Sequence, residues 1–162
     1  MTAYDVSEWA DFAKTVAGGA AALAGLLFVG LSLNLAEVLK YPGVPARAAV
    51  TLGLTIAILL TAIFVATPGQ DPRVLAVEIA VIGIFVAFGA LVAGLYQREE
   101  RSRARTMYLT LLPLVPAVLL IVGAVSLWQQ RGGGLYWVTA SVTTGFVAAS
   151  ANAWVLLVEI KR

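Results

Sequence analysis

Five stretches of twenty or more residues in this chain are nearly free of charge, and short polar breaks separate them. They run over approximately 12–38, 47–67, 73–96, 106–128 and 135–160. A helix needs about 20 mostly apolar residues to cross the hydrocarbon core of a bilayer, so each stretch is long enough. A soluble fold cannot hide them. Of the 162 residues, 60% are hydrophobic and 12% charged, about half the share of roughly 25% found in soluble domains. A small domain leaves much of its surface exposed, and here that surface would be greasy. The mean hydropathy of +0.91 agrees. The expected fold is an all-α membrane protein, a five-transmembrane-helix bundle forming a single transmembrane domain over 1–162.

The breaks carry suitable chemistry. Ser7 is placed to cap the first helix, with Glu8 and Asp11 near its positive end. "YPGVP" (41–45), "TPGQDP" (67–72) and "GGG" (132–134) interrupt the apolar runs, and Asp71–Pro72 pairs a cap with a first-turn proline. Connections this short make consecutive helices antiparallel neighbours. With five crossings, one side of the membrane holds Lys40, Arg47, Arg98, Arg101, Arg103, Arg105, Lys161 and Arg162, against Lys14, Arg73 and Arg131 on the other. Basic residues stay on the cytoplasmic side, which predicts the N-terminus outside and the C-terminus in the cytoplasm. Tyr and Trp fall near the ends of the stretches, where amphipathic rings suit the membrane–water interface. The acidic opening "MTAYDVSEWADFAK" lacks the basic region of a cleavable signal peptide. Arginine outnumbers lysine eight to three and Ala, Val, Leu and Gly dominate, a bacterial bias that suggests the bacterial cytoplasmic (inner) membrane.

Chemistry is narrowed as sharply as fold. The chain has no cysteine and no histidine. Disulfides, thiolate nucleophiles, Cys/His zinc sites and histidine-ligated haem are excluded, together with the commonest proton-transfer side chain. The longest connection has about ten residues, too short for a soluble catalytic domain. No phosphate loop or nucleophile–base set appears. No enzymatic activity, cofactor, metal or nucleic-acid partner is expected.

The polar residues inside the stretches are the candidate sites. Small residues form stripes that mark helix contacts in lipid: Gly18, Ala21, Gly25 and Ser32 with Lys14 in span one, Ala76, Ala80, Gly83, Ala87, Ala90 and Gly94 in span three, and Ser141, Gly145, Ala148 and Asn152 with Glu159 in span five. Span two, mostly aliphatic with scattered threonines, reads as the most lipid-exposed. Pro113 and Pro116 kink span four and free carbonyls near Leu109 and Leu112. Thr139, Thr143 or Thr144 of span five are candidates to satisfy them; a carbonyl-lined cation or water site is the sharper alternative. Asn34 and Asn152, at similar depth, are candidates for an interhelical amide pair. Arg98, Arg101, Arg103 and Arg105 form a cytoplasmic hairpin suited to anionic lipids, or to an acidic protein partner.

Glu78 is the residue that fits lipid least. It lies five residues after Arg73, about 7 Å below the outer surface at about 1.5 Å per residue. A lone charge there is costly. An ion pair with Lys14 or protonation would relieve it. Glu78 shares a stripe with Ile82, Phe85, Gly89 and Tyr96, apart from the Ala/Gly stripe of the same span, so span three has two faces that should avoid lipid. Pairing inside the protomer, an interface, and ion handling all remain open.

The segment "AGGAAALAGLLFVGLSLNLAEVLKYPGVPARA" (17–48) resembles the opening of a group of small bacterial integral membrane proteins, some of them labelled modulators of the FtsH membrane protease. The likeness rests on the small-residue helix, on "SLNL" and on the "PGxPxRA" turn. It implies a regulatory subunit without chemistry of its own. The expected function is therefore that of an accessory, regulatory or assembly subunit acting through helix–helix contacts, with a membrane-protein partner or a second copy. The alternative is a homo-oligomeric ion channel or small-solute transporter, with Glu78 and the polar face of span five along its path. A paired-carboxylate intramembrane enzyme is excluded, because Glu37 and Glu159 lie at the opposite surface from Glu78.

Overall fold

The computed structural model describes residues 3–40, 43–96 and 103–159. Among them the regular structure is helical throughout: a 3-10 turn over Val6–Trp9, then α1 Ala10–Leu33, α2 Leu35–Lys40, α3 Val44–Val65, α4 Pro72–Tyr96, α5 Arg103–Gln129 and α6 Leu135–Glu159. Four segments, Val6–Leu33, Val44–Val65, Pro72–Leu95 and Leu111–Gln129, are long and apolar enough to cross a membrane. This identifies a helical membrane protein. The last helix, α6, matches them with 25 residues, but Thr139, Ser141, Thr143, Thr144 and Asn152 make its centre more polar.

The helix ends follow local rules, with two departures. Asp71 caps α4 as its sequence suggests, its Oδ1 accepting from the amides of Arg73 at 2.8 Å and Val74 at 3.3 Å. Gly43 precedes α3 at φ 84°, and Pro45 sits in the first turn. Ser7, however, is not the N-terminal cap. Asp5 holds that role for the 3-10 turn, accepting from the Ser7 amide at 3.2 Å and from its hydroxyl at 2.6 Å. Nor does the first helix run unbroken to 38. It is interrupted at Asn34, whose Nδ2 donates to the Gly30 carbonyl at 2.8 Å, while its amide turns to Leu31. A side chain that bonds its own backbone offers an alternative to the helical ladder.

Helices α3, α4, α5 and α6 close a ring, each packed against the next and α6 returning to α3. Helix α1 is appended outside this ring, mainly against α3 and lightly against α6. The principal core gathers around Trp9, Ile58, Val65, Leu75, Ile79 and Leu127, and a second cluster of Val38, Val44, Ala48 and Leu156 sits at the opposite end. We call these the tryptophan end and the far end.

The ring overturns the expectation for span two. Helix α3 is the central element, touching α1, α4 and α6. Its threonines explain how. Thr51, Thr55 and Thr61 are each at most 1% exposed, and each hydroxyl donates to the carbonyl four residues back, at 2.9, 2.9 and 2.8 Å. With the hydroxyl satisfied inside the helix, threonine packs as a small β-branched apolar side chain.

Candidate membrane-embedded site

Glu78 and Lys14 stand on α4 and α1, which are not packing neighbours, so the expected ion pair does not form. Lys14 instead bonds Asp11 on its own helix at 2.9 Å, with both side chains largely exposed. Glu78 is half-buried and accepts a hydrogen bond from Nε2 of Gln70, in the loop before α4. A neutral amide donor satisfies one carboxylate oxygen without a buried cation. The tether is local, and it fixes the α3–α4 loop onto the second turn of α4.

The other expected polar contacts are also redirected. Asn34 bonds within its own helix, so the Asn34–Asn152 pair is not made; Asn152 itself is buried at 3% exposure. Thr139, Thr143 and Thr144 all bond back to carbonyls of α6, at 3.3, 2.9 and 2.8 Å. The side chain that crosses to the proline helix is Ser141, whose Oγ donates to the Pro116 carbonyl at 2.7 Å. Pro113 and Pro116 lie inside α5, which continues through both. Arg98 and Arg101 lie outside the described residues, while Arg103 and Arg105 open α5.

The two unusual faces of α4 are both accounted for. The Ala/Gly stripe meets α5 at Gly83, where a Cβ would stand 2.8 Å from Ile121 Cγ1 and 3.2 Å from the Ala117 carbonyl, while Ala90 of the same stripe lines the groove toward α3. The Glu78 stripe faces a groove. Ile82, Phe85 and Gly89 line one wall of an apolar cleft of about 720 Å³, with Ala49, Gly53 and Ala57 of α3 on the other. Its walls run over 46–60 of α3 and 81–93 of α4, which places it in the half of the molecule toward the far end. Nearer the tryptophan end the two helices meet through Ala62, Val65, Leu75 and Ile79 of the principal core. Glu78 therefore sits one turn beyond the closed end of the groove. The sequence reads the α4 wall as a face that should avoid lipid, yet Phe85 on it is 77% exposed, because the groove is open along its side. The α3 wall carried a signal that was passed over: Ala46, Ala49, Gly53 and Ala57 recur at helical spacing.

A second constellation was not foreseen. The N-terminal segment clasps the α5–α6 loop: the Ala3 carbonyl accepts from the Leu135 amide at 2.8 Å, and the Tyr4 hydroxyl accepts from the Gly133 amide at 3.0 Å. Ser126 Oγ accepts from the Gly134 amide at 2.8 Å and donates to the Arg131 carbonyl. Trp137 Nε1 donates to the Gly132 carbonyl at 2.7 Å, and the Trp9 ring meets Tyr136 edge-on, centroids 5.1 Å apart. The amides of Arg131, Gly133 and Gly134 are thereby spent on the protein itself. Contacts spanning 129 residues leave no periodic trace in a sequence.

No family model, curated protein or solved structure matches the chain. Among the described residues no group of three or more Asp or Glu side chains is arranged to hold a metal ion. The site is thus one of shape: an apolar groove, a tethered carboxylate beyond its closed end, and an outer helix with an open face.

Proposed function

We propose that this chain is a five-span protein of the bacterial inner membrane, N-terminus outside and C-terminus cytoplasmic, serving as an accessory or regulatory subunit that binds a membrane partner through α1. What supports the reading is the outer face of that helix. Gly18 and Gly25, with Ala21 and Ser32, are exposed, and a Cβ on either glycine would have nothing within 4 Å. Small residues let transmembrane helices approach closely, and among the described residues no helix of the same chain approaches these two glycines. Helix α1 is also the long helix outside the ring among the described residues, so occupying its face leaves the bundle intact. The resemblance of residues 17–48 to proteins labelled modulators of the FtsH protease takes in most of this helix and runs on into α3, and a protease of that kind is a candidate partner.

The test is affinity purification of the tagged chain at native expression, beside a Gly18→Leu, Gly25→Leu variant. A reproducible partner that co-purifies with the native chain and is lost from the variant is expected. A monodisperse lone particle from both would sink the reading. Ion flux through the purified protein in liposomes would instead favour the channel, with Glu78→Gln testing whether its carboxylate selects the ion.

A further inference from the structure

We infer that residues 3–9 are a latch and α1 an arm hinged at Asn34, which swings away from the ring at the tryptophan end when the latch opens. The device belongs to the lone chain and does not rest on the partner proposed above. Helix α1 has little holding it along its length. Ala13, Val16, Ala20 and Leu27 are its buried residues, four of 24, where α3 buries eleven of 22. Lipid tails cover alanine and valine as an apolar neighbour does, so burying them against α3 brings no hydrophobic gain. What fixes the arm is therefore at its ends.

The two ends are held differently. At the far end the helix breaks at Asn34, with φ −115° and ψ 20°, and a break at the end of an element is where a hinge takes up rotation. Beyond it Val38 of α2 is anchored among Val44 and Ala48 of α3 and Leu156 of α6, with Leu31 packed against them. At the tryptophan end the hold is the strap. The Ala3 carbonyl takes the amide of Leu135, the first residue of α6, and the Tyr4 hydroxyl takes that of Gly133. Val6 and Trp9 are buried in the principal core. The receiving loop is shaped for this contact. Gly134 has no room for a Cβ because Ala3 and Tyr4 fill the space, and Gln130 holds φ 53°, a conformation that persists in a non-glycine residue only where its surroundings impose it. Yet the latch is built to open. It is a single 3-10 turn, whose hydrogen bonds are poorer than those of an α-helix. Gln130, Arg131 and Gly132 beside it are exposed, so water can replace the acceptors that Gly133 and Leu135 give up, and no buried group is left unsatisfied.

The experiment places spin labels on paired cysteines in the full, otherwise cysteine-free chain, held in lipid nanodiscs. Thr15→Cys with Gln129→Cys measures α1 against the ring at the tryptophan end, and Leu33→Cys with Ser150→Cys measures it toward the far end; all four positions are exposed. Trp9→Ala is expected to give the first pair a longer-distance component and to leave the second pair unchanged. An unchanged first pair would overturn the inference, because the strap would then not be what holds the arm. Equal lengthening of both pairs would overturn it too, since α1 would then leave as a whole with no hinge at Asn34. Hydrogen exchange supplies a readout that needs no disruptive variant. In the native chain the Gly133 and Leu135 amides are expected to exchange together and faster than that of Val142, inside α6. Tyr4→Phe is expected to speed exchange at Leu135 about fivefold, the factor for one lost hydrogen bond, although it leaves that amide's own acceptor in place. Protection of Leu135 equal to that of Val142, or no change at Leu135 in Tyr4→Phe, would overturn the latch, and these two measurements decide the matter if Trp9→Ala does not fold.

Discussion

Gly134 carries more constraint than any other residue at the tryptophan end. Its φ of +48° lies in the left-handed region, and a Cβ there would overlap the Ala3 carbonyl and crowd the Tyr4 ring at 2.7 Å. Gln130, Gly132 and Gly133 also hold positive φ, so the α5–α6 loop is a shaped receptor for the N-terminal segment. Gly134→Ala should therefore cost about 1–3 kcal/mol through backbone strain and loss of the clasp. Tyr4→Phe, which removes only the acceptor of the Gly133 amide, should cost about 0.5–1.5 kcal/mol. Thermal melting in detergent checks both, and a melting temperature for Gly134→Ala equal to that of the native chain would contradict the close approach. "GGG" was legible in the sequence as a break between helices. That the break receives residues 3 and 4 was not, because the signal is a fit between distant segments.

At the scale of elements, the small-residue stripes of α4 and α1 look alike in sequence and behave differently. Gly83 is pressed against α5, so Gly83→Leu should force α4 and α5 apart and cost about 1–3 kcal/mol, the range for overpacked positions. Gly18 faces open space, and Gly18→Leu should change the stability of the isolated protein by no more than about 0.5 kcal/mol. Denaturation in mixed micelles compares the two, and equal losses would mean that α1 is packed against something in the free protein. The stripes could not be ranked beforehand. A lipid tail is as apolar as a leucine, so hydrophobic periodicity does not separate a lipid-facing side from a helix-facing one. Helix α3 looks lipid-facing in sequence for that reason: Thr51, Thr55 and Thr61 resemble mild surface polarity, whereas in the structure their hydroxyls bond to their own backbone.

For the whole molecule, the proposed odd number of crossings makes a direct prediction. In this cysteine-free chain, single cysteines at Ser7, Gln70 and Arg131 should react with a membrane-impermeant maleimide applied from outside, and cysteines at Lys40 and Arg162 only after the membrane is opened. Labelling of Ser7 and Arg162 from the same side would refute five crossings and reverse the depth of every residue in α6. The closed ring of α3 to α6 gives a reason to expect α6 to cross despite its polarity. Ser141 and Asn152 are buried at 5% and 3% exposure, and its threonine hydroxyls are satisfied by carbonyls of their own helix, so little of its polar capacity is left unpaired toward lipid.

The sequence by itself determined that this is a helical membrane protein, where most of its helices begin and end, and that it holds no cysteine or histidine. Those are local matters: the length of an apolar run, a cap or glycine at its end, the absence of cysteine and histidine. The tertiary structure alone decided that α3 is central and α1 peripheral, that Glu78 answers to Gln70 and not Lys14, that Ser141 is the side chain reaching the proline helix, and that α3 and α4 part to leave a groove. In a bilayer the solvent and the core are both apolar, so the pattern that separates inside from outside in water is muted, and only the fit of one helix surface against another selects the contacts.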